Sequence, residues 1–592
     1  MELEQASIEK FIGKFEHMKI KAEAVEMKVK SKNQLDNAAP TLDLNKKSKN
    51  MASRQIMVKK SSMTSARTTV CPACKNKVSE NLGEHIMRTH GEAEFKKAVL
   101  KAKENEMPDK KIGELFNITF RQLERIVIDA RGANISFFTP KKIRYWEPKY
   151  FKEETTTVWS FPQRGDWATH DGRYRGNWSP YIPRNVILKY SRPGETVLDY
   201  FVGGGTTAVE AKLLDRKCIA SDINPAAVEM TKKNASIPLP KELLAKHRIY
   251  EPEVKVGDAR SLKAQGIQDN KIDLICAHPP YAGIIEYGSK IKGDLSALSI
   301  DGFLKEMGKV ASESLRVLKP GGKCAILIGD TRKAKHVVPI GFKTINVFLG
   351  AGFRLKELVI KRQHKCKTTG FWYEKSIKNN FLLLAHEYLP IFEKPCSFNS
   401  SLNEREKIFD YNNVKSVSIK PKSSEEKERE TTTVWIFPEK DLEERLNKNV
   451  IDRYTNGSRY LTIAFTRDKG EVSTGRENGK IGLLFIKSPF LENNPVRTDI
   501  VRYLNEMKEI VQRKSPDIIK GGFLAIQTRD VRINGYIEPL GKRIVDLLTF
   551  DNLWLKEIVV VTPEQAGDKG TENGNLKITH QYLLIYEAKQ AP

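Results

Sequence analysis

The chain carries one sequence pattern twice, in the same order, and this limits what it can fold into. TTTVWSFP at 155–162 returns as TTTVWIFP at 431–438. IDLICAHPPY at 272–281 aligns with IGLLFIKSPF at 481–490, and GGKCAILIGDTR at 321–332 with GGFLAIQTRDVR at 521–532. GFRLKELVI at 352–360 aligns with NLWLKEIVV at 552–560, and FLLLAHEYLPIF at 381–392 with QYLLIYEA at 581–588. Ordered agreement at this many points means duplication. The repeated segments are short apolar runs bounded by Gly, Pro and polar residues, and they alternate with helical patterns, which predicts two α/β units.

The first copy carries the chemistry. In ETVLDYFVGGGTT (195–207) a strand ending at Asp199 runs into a Gly-rich turn, and Thr206-Thr207 open a helix. Glycines there let the backbone approach a ligand closely. About twenty residues on, CIASDINPAAVEM ends a strand at Asp222, followed by Asn224; a carboxylate so placed can accept both hydroxyls of a ribose. VKVGDARSL closes another strand at Asp258, placed to meet an adenine amino group. In IDLICAHPPYAGIIEYG an apolar strand delivers His278, Pro279, Pro280 and Tyr281.

In their order and residues these segments resemble the amino-methylating DNA methyltransferases, the N4-cytosine and N6-adenine enzymes. The resemblance is strong over about 155–392 and weak over 431–592. It implies a Rossmann-like, mostly parallel sheet that holds S-adenosylmethionine at its strand ends. It also implies cofactor contacts from Asp199, Phe201, Gly203, Gly205, Thr206, Asp222, Asn224 and Asp258. The upstream segment Asn177-Trp178-Ser179-Pro180-Tyr181, with Pro183, resembles the part of the family that folds over the methionine end, with Tyr181 a further contact. In the family's catalytic motif a polar residue precedes Pro-Pro-aromatic; here these are His278, Pro279, Pro280 and Tyr281. The first side chain and the first proline's carbonyl bind the two amino hydrogens and aim the nitrogen lone pair at the methyl group. The aromatic ring stacks on a base flipped from double-stranded DNA. Transfer is then a displacement governed by alignment. His278 departs from the usual Asp, Asn or Ser; a neutral imidazole still accepts one hydrogen bond. With no carboxylate there, the expectation leans to N4-cytosine over N6-adenine. The cofactor motifs precede the catalytic motif, as in the family's gamma-type permutation. Asp330 and Arg332, ending the next predicted strand, are expected on the rim beside the substrate.

The second copy lacks the Gly turn and the acidic ribose partner, and its catalytic segment reads Lys487-Ser488-Pro489-Phe490. It is expected to have lost cofactor binding and to pack on the first copy and help hold DNA.

Upstream, CPACKNKVSENLGEHIMRTH sets Cys71, Cys74, His85 and His90 in a C-x2-C-x10-H-x4-H spacing. Two thiolates on a tight turn and two imidazoles about one helical turn apart can close a tetrahedron around Zn2+. The segment resembles a single C2H2 zinc finger with a shortened middle, and the implied ion is structural. Residues 108–131 resemble a helix-turn-helix. Ile112, Leu115 and Phe116 form an inner face and Asn117-Ile118 the turn. Thr119 caps a second helix with Leu123, Ile126 and Val127 inside and Arg121, Gln122 and Arg125 outside. The expected division is an N-terminal helix and basic linker (1–66), finger (67–92), helix-turn-helix (93–135), catalytic domain (136–392), linker (393–430) and degenerate copy (431–592).

A net charge of +26 favours polyanionic partners. Seven Cys, only two of them closely spaced, fit a reducing compartment rather than a disulfide framework. The start is charged and has no signal-peptide core, and no apolar run spans a membrane. These features predict a cytoplasmic, nucleoid-associated protein without membrane partners, and they allow a homodimer. The leading expectation is a site-specific DNA amino-methyltransferase of the kind found in restriction-modification. Its rivals are a tRNA guanine-N2 methyltransferase, which can share the Pro-Pro-Tyr motif, and a non-catalytic DNA-binding regulator.

Overall fold

The computed structural model describes residues 69–589 except 79–80, 106, 119–121, 124–125, 127–142, 171–176, 246–247, 282–290, 365–374, 377, 397–411, 420–429, 456, 467–478, 489–494, 565–570 and 572–573. The predicted N-terminal helix and linker (1–66) lie outside the described residues, as do Thr119, Arg121, Arg125 and Val127 of the predicted helix-turn-helix. No helix among the described residues is long and apolar enough to cross a membrane.

A small module comes first. The hairpin β1 (Thr69–Val70) and β2 (Lys77–Val78) leads into helix α1 (Leu82–Glu104). The Asn81 side chain caps α1 by accepting from the N–H of Gly83 at 2.9 Å and of Glu84 at 3.3 Å. Gly91, at φ 82°, kinks α1 just after His90. Helix α2 (Asp109–Phe116) ends at Asn117 in the left-handed conformation. The two helices nearly touch: a Cβ on Gly83 would sit 2.0 Å from the Phe116 carbonyl oxygen. Ile86, Phe95 and Val99 of α1 share one core with Cys71, Ile112, Phe116, Leu123 and Ile126. The expected boundary at 92/93 therefore falls inside α1, and the stretch is one packed unit rather than a finger followed by a separate domain.

The first large sheet uses β3 (Val158–Ser160), β4 (Thr196–Asp199), β5 (Lys217–Asp222), β6 (Glu253–Val256), β7 (Ile272–Ala277), β8 (Leu318–Ile326), β11 (Arg354–Arg362) and β12 (His386–Glu393). Between β8 and β11 lies a hairpin of β9 (Thr331–Lys333) and β10 (His336–Val338). Helices α3 (Tyr181–Tyr190), α4 (Thr206–Leu213), α5 (Pro225–Ala235), α6 (Ile300–Val317) and α7 (Ile340–Gly350) belong to this half. The strand order is β3-β11-β12-β8-β7-β4-β5-β6, and β6 through β8 are mutually parallel. Parallel strands are covered on both faces, which is why Val197-Leu198 and Leu274–Cys276 read as unbroken apolar runs and are fully buried. The chain winds outward from β4 to β5 and β6, then returns to add β7 and β8 on the other side. Such a reversal opens a crevice at the carboxyl ends of the strands.

The second half contains β13 (Asn412–Ile419), β14 (Val434–Phe437), β15 (Arg459–Thr466), β16 (Ile481–Lys487), β17 (Ile518–Thr528), β20 (Leu553–Pro563) and β21 (Gln581–Ala588), with a hairpin of β18 (Val531–Ile533) and β19 (Tyr536–Glu538). Its helices are α8 (Leu442–Tyr454), α9 (Arg497–Lys514) and α10 (Leu540–Leu547). The order β13-β15-β16-β17-β21-β20-β14 retraces that of the first half. Strands β14, β20, β21, β17, β16 and β15 stand where β3, β11, β12, β8, β7 and β4 stand. The place of β5 is taken by β13, which runs antiparallel to β15. Because β13 comes from the segment expected to be a linker, 393–430 is not wholly a linker; part of it completes the second sheet.

The halves meet through reciprocal contacts and a continuous apolar core that includes Phe342 and Tyr388 of one and Ile526 and Tyr582 of the other. Arg332 pairs with Glu557 and donates to the carbonyls of Leu382 and Lys556. Arg532 pairs with Glu357 at 2.5 Å and donates to the carbonyls of Leu576 and Lys356. The Thr157 hydroxyl lies 2.8 Å from His580 Nδ1, and the Thr433 hydroxyl 2.9 Å from His386 Nδ1. Each half contacts the other with equivalent residues, the signature of an isologous, two-fold-like interface. The repeated TTTVW sequence is thus accounted for: its third threonine reaches a buried histidine of the opposite half.

Candidate active site

The cleft grows from the turn after β4. Gly203 (φ 53°) and Gly205 (φ 87°) take left-handed conformations, and a Cβ on Gly204 would lie 2.4 Å from the Asn177 side chain. Asn177 Oδ1 accepts the Gly204 N–H at 3.1 Å, so the upstream segment holds the turn. At the tip of β5, Asp222 accepts the N–H groups of Gly203 at 3.0 Å and Asn224 at 2.9 Å. Each carboxylate oxygen keeps a further lone pair for a ligand. Burial pushes the Asp222 carboxyl up to about 6, and the nearby Asp294 acts in the same direction, against the pull of the two N–H donors. Asn224 spends its side chain capping α5.

Gly203, Asp222 and Asn224 line a cleft that also contains Phe201, Asp258, His278, Pro280, Ile223 and Asp294. Asp258 is not a free carboxylate. Arg260 grips both of its oxygens, at 2.9 and 2.6 Å, and extends to Glu306 at 2.6 Å. Burial alone would raise the Asp258 carboxyl, but these donors hold it below its ordinary value.

Four expected contacts do not line the cleft. Asp199 lies behind it, accepting the Phe201 N–H at 2.9 Å; burial raises its carboxyl to about 7. Gly205 and Thr206 are buried at the start of α4. Tyr181 is stacked on Phe161 at 5.2 Å and packed edge-on against Trp167. These residues shape the cleft from behind. The same structural role falls to Glu210 of α4, which the sequence reading missed. It receives the Trp167 indole N–H at 2.6 Å and Arg184 at 2.9 Å, and lies 2.6 Å from His170 Nε2, tying the upstream segment and α3 to the helix that follows the Gly turn.

At the opposite wall, β7 delivers His278. Its ring is stacked on Trp178 at 5.6 Å, with 19° between the planes. Its Nε2 is 3.0 Å from the Tyr281 hydroxyl, which donates to Glu387 of β12 at 2.6 Å. Lys361 of β11 donates to the other Glu387 oxygen at 2.8 Å. The Tyr281 ring lies against Gly329. In this structure Tyr281 is therefore braced in the wall, where the motif alone predicted a ring for stacking on a base. Pro279 is buried and Pro280 faces the cleft.

Asp330 and Arg332 require correction. The half-buried Asp330 turns one carboxylate oxygen inward and accepts the Gly341 N–H at 2.9 Å on the other, and Arg332 crosses to Glu557 in the other half. They serve the internal interface, not a substrate rim.

In the second half the residues at the equivalent strand ends bond to one another. Ser488 is buried, donates to the Gln527 carbonyl at 2.6 Å and sits 2.9 Å from the Tyr503 hydroxyl. Lys487 and the Gln527 side chain both reach Glu443. Pro489 and Phe490 lie outside the described residues.

In the small module, the ligand atoms of Cys71, Cys74, His85 and His90 all lie within 4.8 Å of one another. The buried His90 Nε2 has no hydrogen-bond partner. Two thiols and two imidazoles brought together in this way suit a metal ion.

A family model described as DNA methylase matches residues 18–233 and 272–463, well over half of the chain. A second, described as RNA cap guanine-N2 methyltransferase, matches residues 194–319. A tRNA (guanine(10)-N2)-dimethyltransferase of Methanothermobacter thermautotrophicus is 33% identical over 109 residues, 18% of this chain and 29% of the relative. The type II methyltransferase M.SmaI of Serratia marcescens is 32% identical over 15% of this chain and 28% of its own length. M.MthZI, another type II methyltransferase of M. thermautotrophicus, is 28% identical over 25% of this chain and 44% of its own. The chain thus spans less than half the length of each of these relatives.

Proposed function

Since the chain belongs to the N6/N4 DNA methylase family, we propose that it transfers a methyl group from S-adenosylmethionine to an exocyclic amino group of a DNA base, N4-cytosine before N6-adenine. The observation that carries this reading is convergence: the Gly turn, Asp222 and His278 face one cleft although they come from three different strand ends. Gly203 at the cleft wall, in a left-handed conformation that a side chain would strain, and the open lone pairs of Asp222 fit a nucleoside. Gly203, Asp222, Asn224 and Phe201 would hold the cofactor, which when bound supplies an electrophilic methyl group. His278 and the Pro279 carbonyl would receive the two amino hydrogens of a flipped base. The small module and the second half would bind duplex DNA around the site, and the whole would act on a defined sequence. A second reading, methylation of guanine N2 in RNA, is favoured by the tRNA-modifying relative and by the RNA cap model over 194–319.

Labelled S-adenosylmethionine with the full chain, given duplex DNA beside total tRNA, separates the two once the products are digested to nucleosides. N4-methylcytosine or N6-methyladenine is the expected product, and methyl appearing on tRNA guanine alone would replace the DNA reading with the RNA one. His278→Ala should slow transfer by about 10²-fold or more while leaving cofactor affinity nearly unchanged in a calorimetric titration. Equal loss of both would remove its role in transfer.

We assign the cluster of Cys71, Cys74, His85 and His90 a structural zinc ion. Metal analysis should find it, and Cys74→Ser or a strong chelator should remove it. Helix content near 82–104 should then fall, because ligand binding and folding of so small a unit are coupled. Cofactor affinity should stay constant, and a protein that keeps its full helix content without metal would refute the assignment.

A further inference from the structure

An imidazole in the amino-binding position accepts through only one of its two nitrogens, so its tautomer decides whether it works. The side chains behind His278 settle which one. Glu387 is almost fully buried in β12 and takes the Lys361 ammonium at 2.8 Å on one oxygen and the Tyr281 hydroxyl at 2.6 Å on the other. Burial alone would raise its carboxyl, but Lys361, the nearby His278 and the Tyr281 hydroxyl outweigh that and lower it to about 2. Glu387 is therefore an acceptor only. Tyr281 has one hydroxyl hydrogen, and the short, charge-assisted bond to Glu387 uses it. The hydrogen bond between His278 Nε2 and the Tyr281 oxygen, 3.0 Å long, must then be donated by the imidazole.

We infer that Lys361, Glu387 and Tyr281 form a positioning relay that keeps the His278 hydrogen on Nε2, so that Nδ1 presents the lone pair that binds an amino hydrogen of the target base and then receives its proton. This rests on the methyl-transfer reading. Trp178, stacked on the ring, fixes its plane. In the reaction the amino nitrogen's lone pair forms the bond to the methyl carbon as the carbon–sulfur bond breaks and its electrons go to sulfur. The nitrogen, now cationic, loses one hydrogen as a proton to Nδ1. The imidazolium so formed is stabilised through Tyr281 by the Glu387 carboxylate. An Asn or Ser in this position could accept the hydrogen bond but not hold the proton, so the relay gives the unusual histidine a function of its own. Besides the relay, the charged groups sharing the cleft among the described residues are Asp222, Asp294 and the Asp258–Arg260 pair.

Two measurements test the relay. The first is the nitrogen-15 spectrum of histidine-labelled full chain near pH 8, with His278→Asn used to identify the resonance. The expected result is hydrogen on Nε2 in the wild type and a mixture of tautomers in Tyr281→Phe. Hydrogen on Nδ1 in the wild type would overturn the inference, and this readout does not depend on which nucleic acid is the substrate. The second is the pH profile of single-turnover methyl transfer. Protonation of Nδ1 removes the acceptor, so the wild-type rate should fall on the acid side with one ionisation. Glu387→Gln should lower the rate at least about tenfold and move that acid limb to lower pH, because the imidazolium loses its counter-charge. His278→Asn should lose the limb and keep a reduced rate. A Glu387→Gln enzyme that is slower but keeps the wild-type limb would make Glu387 merely structural. If neither DNA nor RNA accepts a methyl group while the spectrum shows hydrogen on Nε2, the methyl-transfer reading fails and the assigned tautomer stands.

Discussion

Replacing Asp222 with alanine is expected to weaken S-adenosylmethionine binding by about 10²- to 10⁴-fold. Two hydroxyl donors onto one carboxylate are each worth about 1.5–3 kcal/mol, and about 1.4 kcal/mol is a factor of ten. The carboxylate also holds the N–H groups of Gly203 and Asn224, so its loss loosens the turn as well. Asp222→Asn, which keeps one acceptor oxygen, should lose less. The pH dependence follows from the same group. With its carboxyl at about 6, affinity should be level above about pH 7 and fall below pH 6, by up to about tenfold per unit. Stability should respond in the opposite sense. Between about pH 4 and 6 the folded chain holds a proton at Asp222 that the unfolded chain has released, so this group's contribution to stability grows as the pH falls through that window. Weaker binding at pH 5 would therefore not be unfolding in disguise. Calorimetric titration from pH 5 to 8 checks the prediction, and flat affinity across the range would remove the ribose assignment.

Arg332→Ala should destabilise the fold by about 3–5 kcal/mol, because it leaves the almost fully buried Glu557 carboxylate without its counter-ion. Arg532→Ala should do the same by stranding Glu357. Near-equal losses are the particular expectation, since the two pairs are related by the internal symmetry. Arg332→Lys should lose part of this, because an ammonium keeps the charge but lacks the fork that also reaches the Leu382 and Lys556 carbonyls. Replacing both partners, Arg332→Met with Glu557→Leu, should recover most of the stability. Denaturant titration gives all four values. A single substitution that leaves the midpoint unmoved would mean that the pair does not couple the halves.

Much of this architecture was legible in the sequence, for identifiable reasons. Parallel strands buried on both faces leave unbroken apolar runs, so β4 and β7 stood out together with the residues at their tips. The repeat foretold two α/β units. What could not be read was where polar side chains go once strands distant in sequence become neighbours. Asp330 and Arg332 close a strand just as substrate-facing residues do, and only the packed second half shows that they turn toward it. Tyr281 reads as a stacking ring until Glu387, 106 residues further on, is seen beside its hydroxyl. Asp258 lines the cleft, but its neutralisation by Arg260 depends on side-chain direction two positions on. Strand β13 escaped notice because an edge strand surrounded by Lys, Ser and Glu has the composition of a linker.

The reciprocal interface has a consequence for how the molecule behaves on dilution. A two-fold pair of separate subunits falls apart below its dissociation constant. Here the mate of the catalytic half is carried on the same chain, so their meeting is unimolecular and its equilibrium contains no concentration term. The pairing of the two halves should then persist at any dilution, and a folding signal that reports it should not depend on protein concentration.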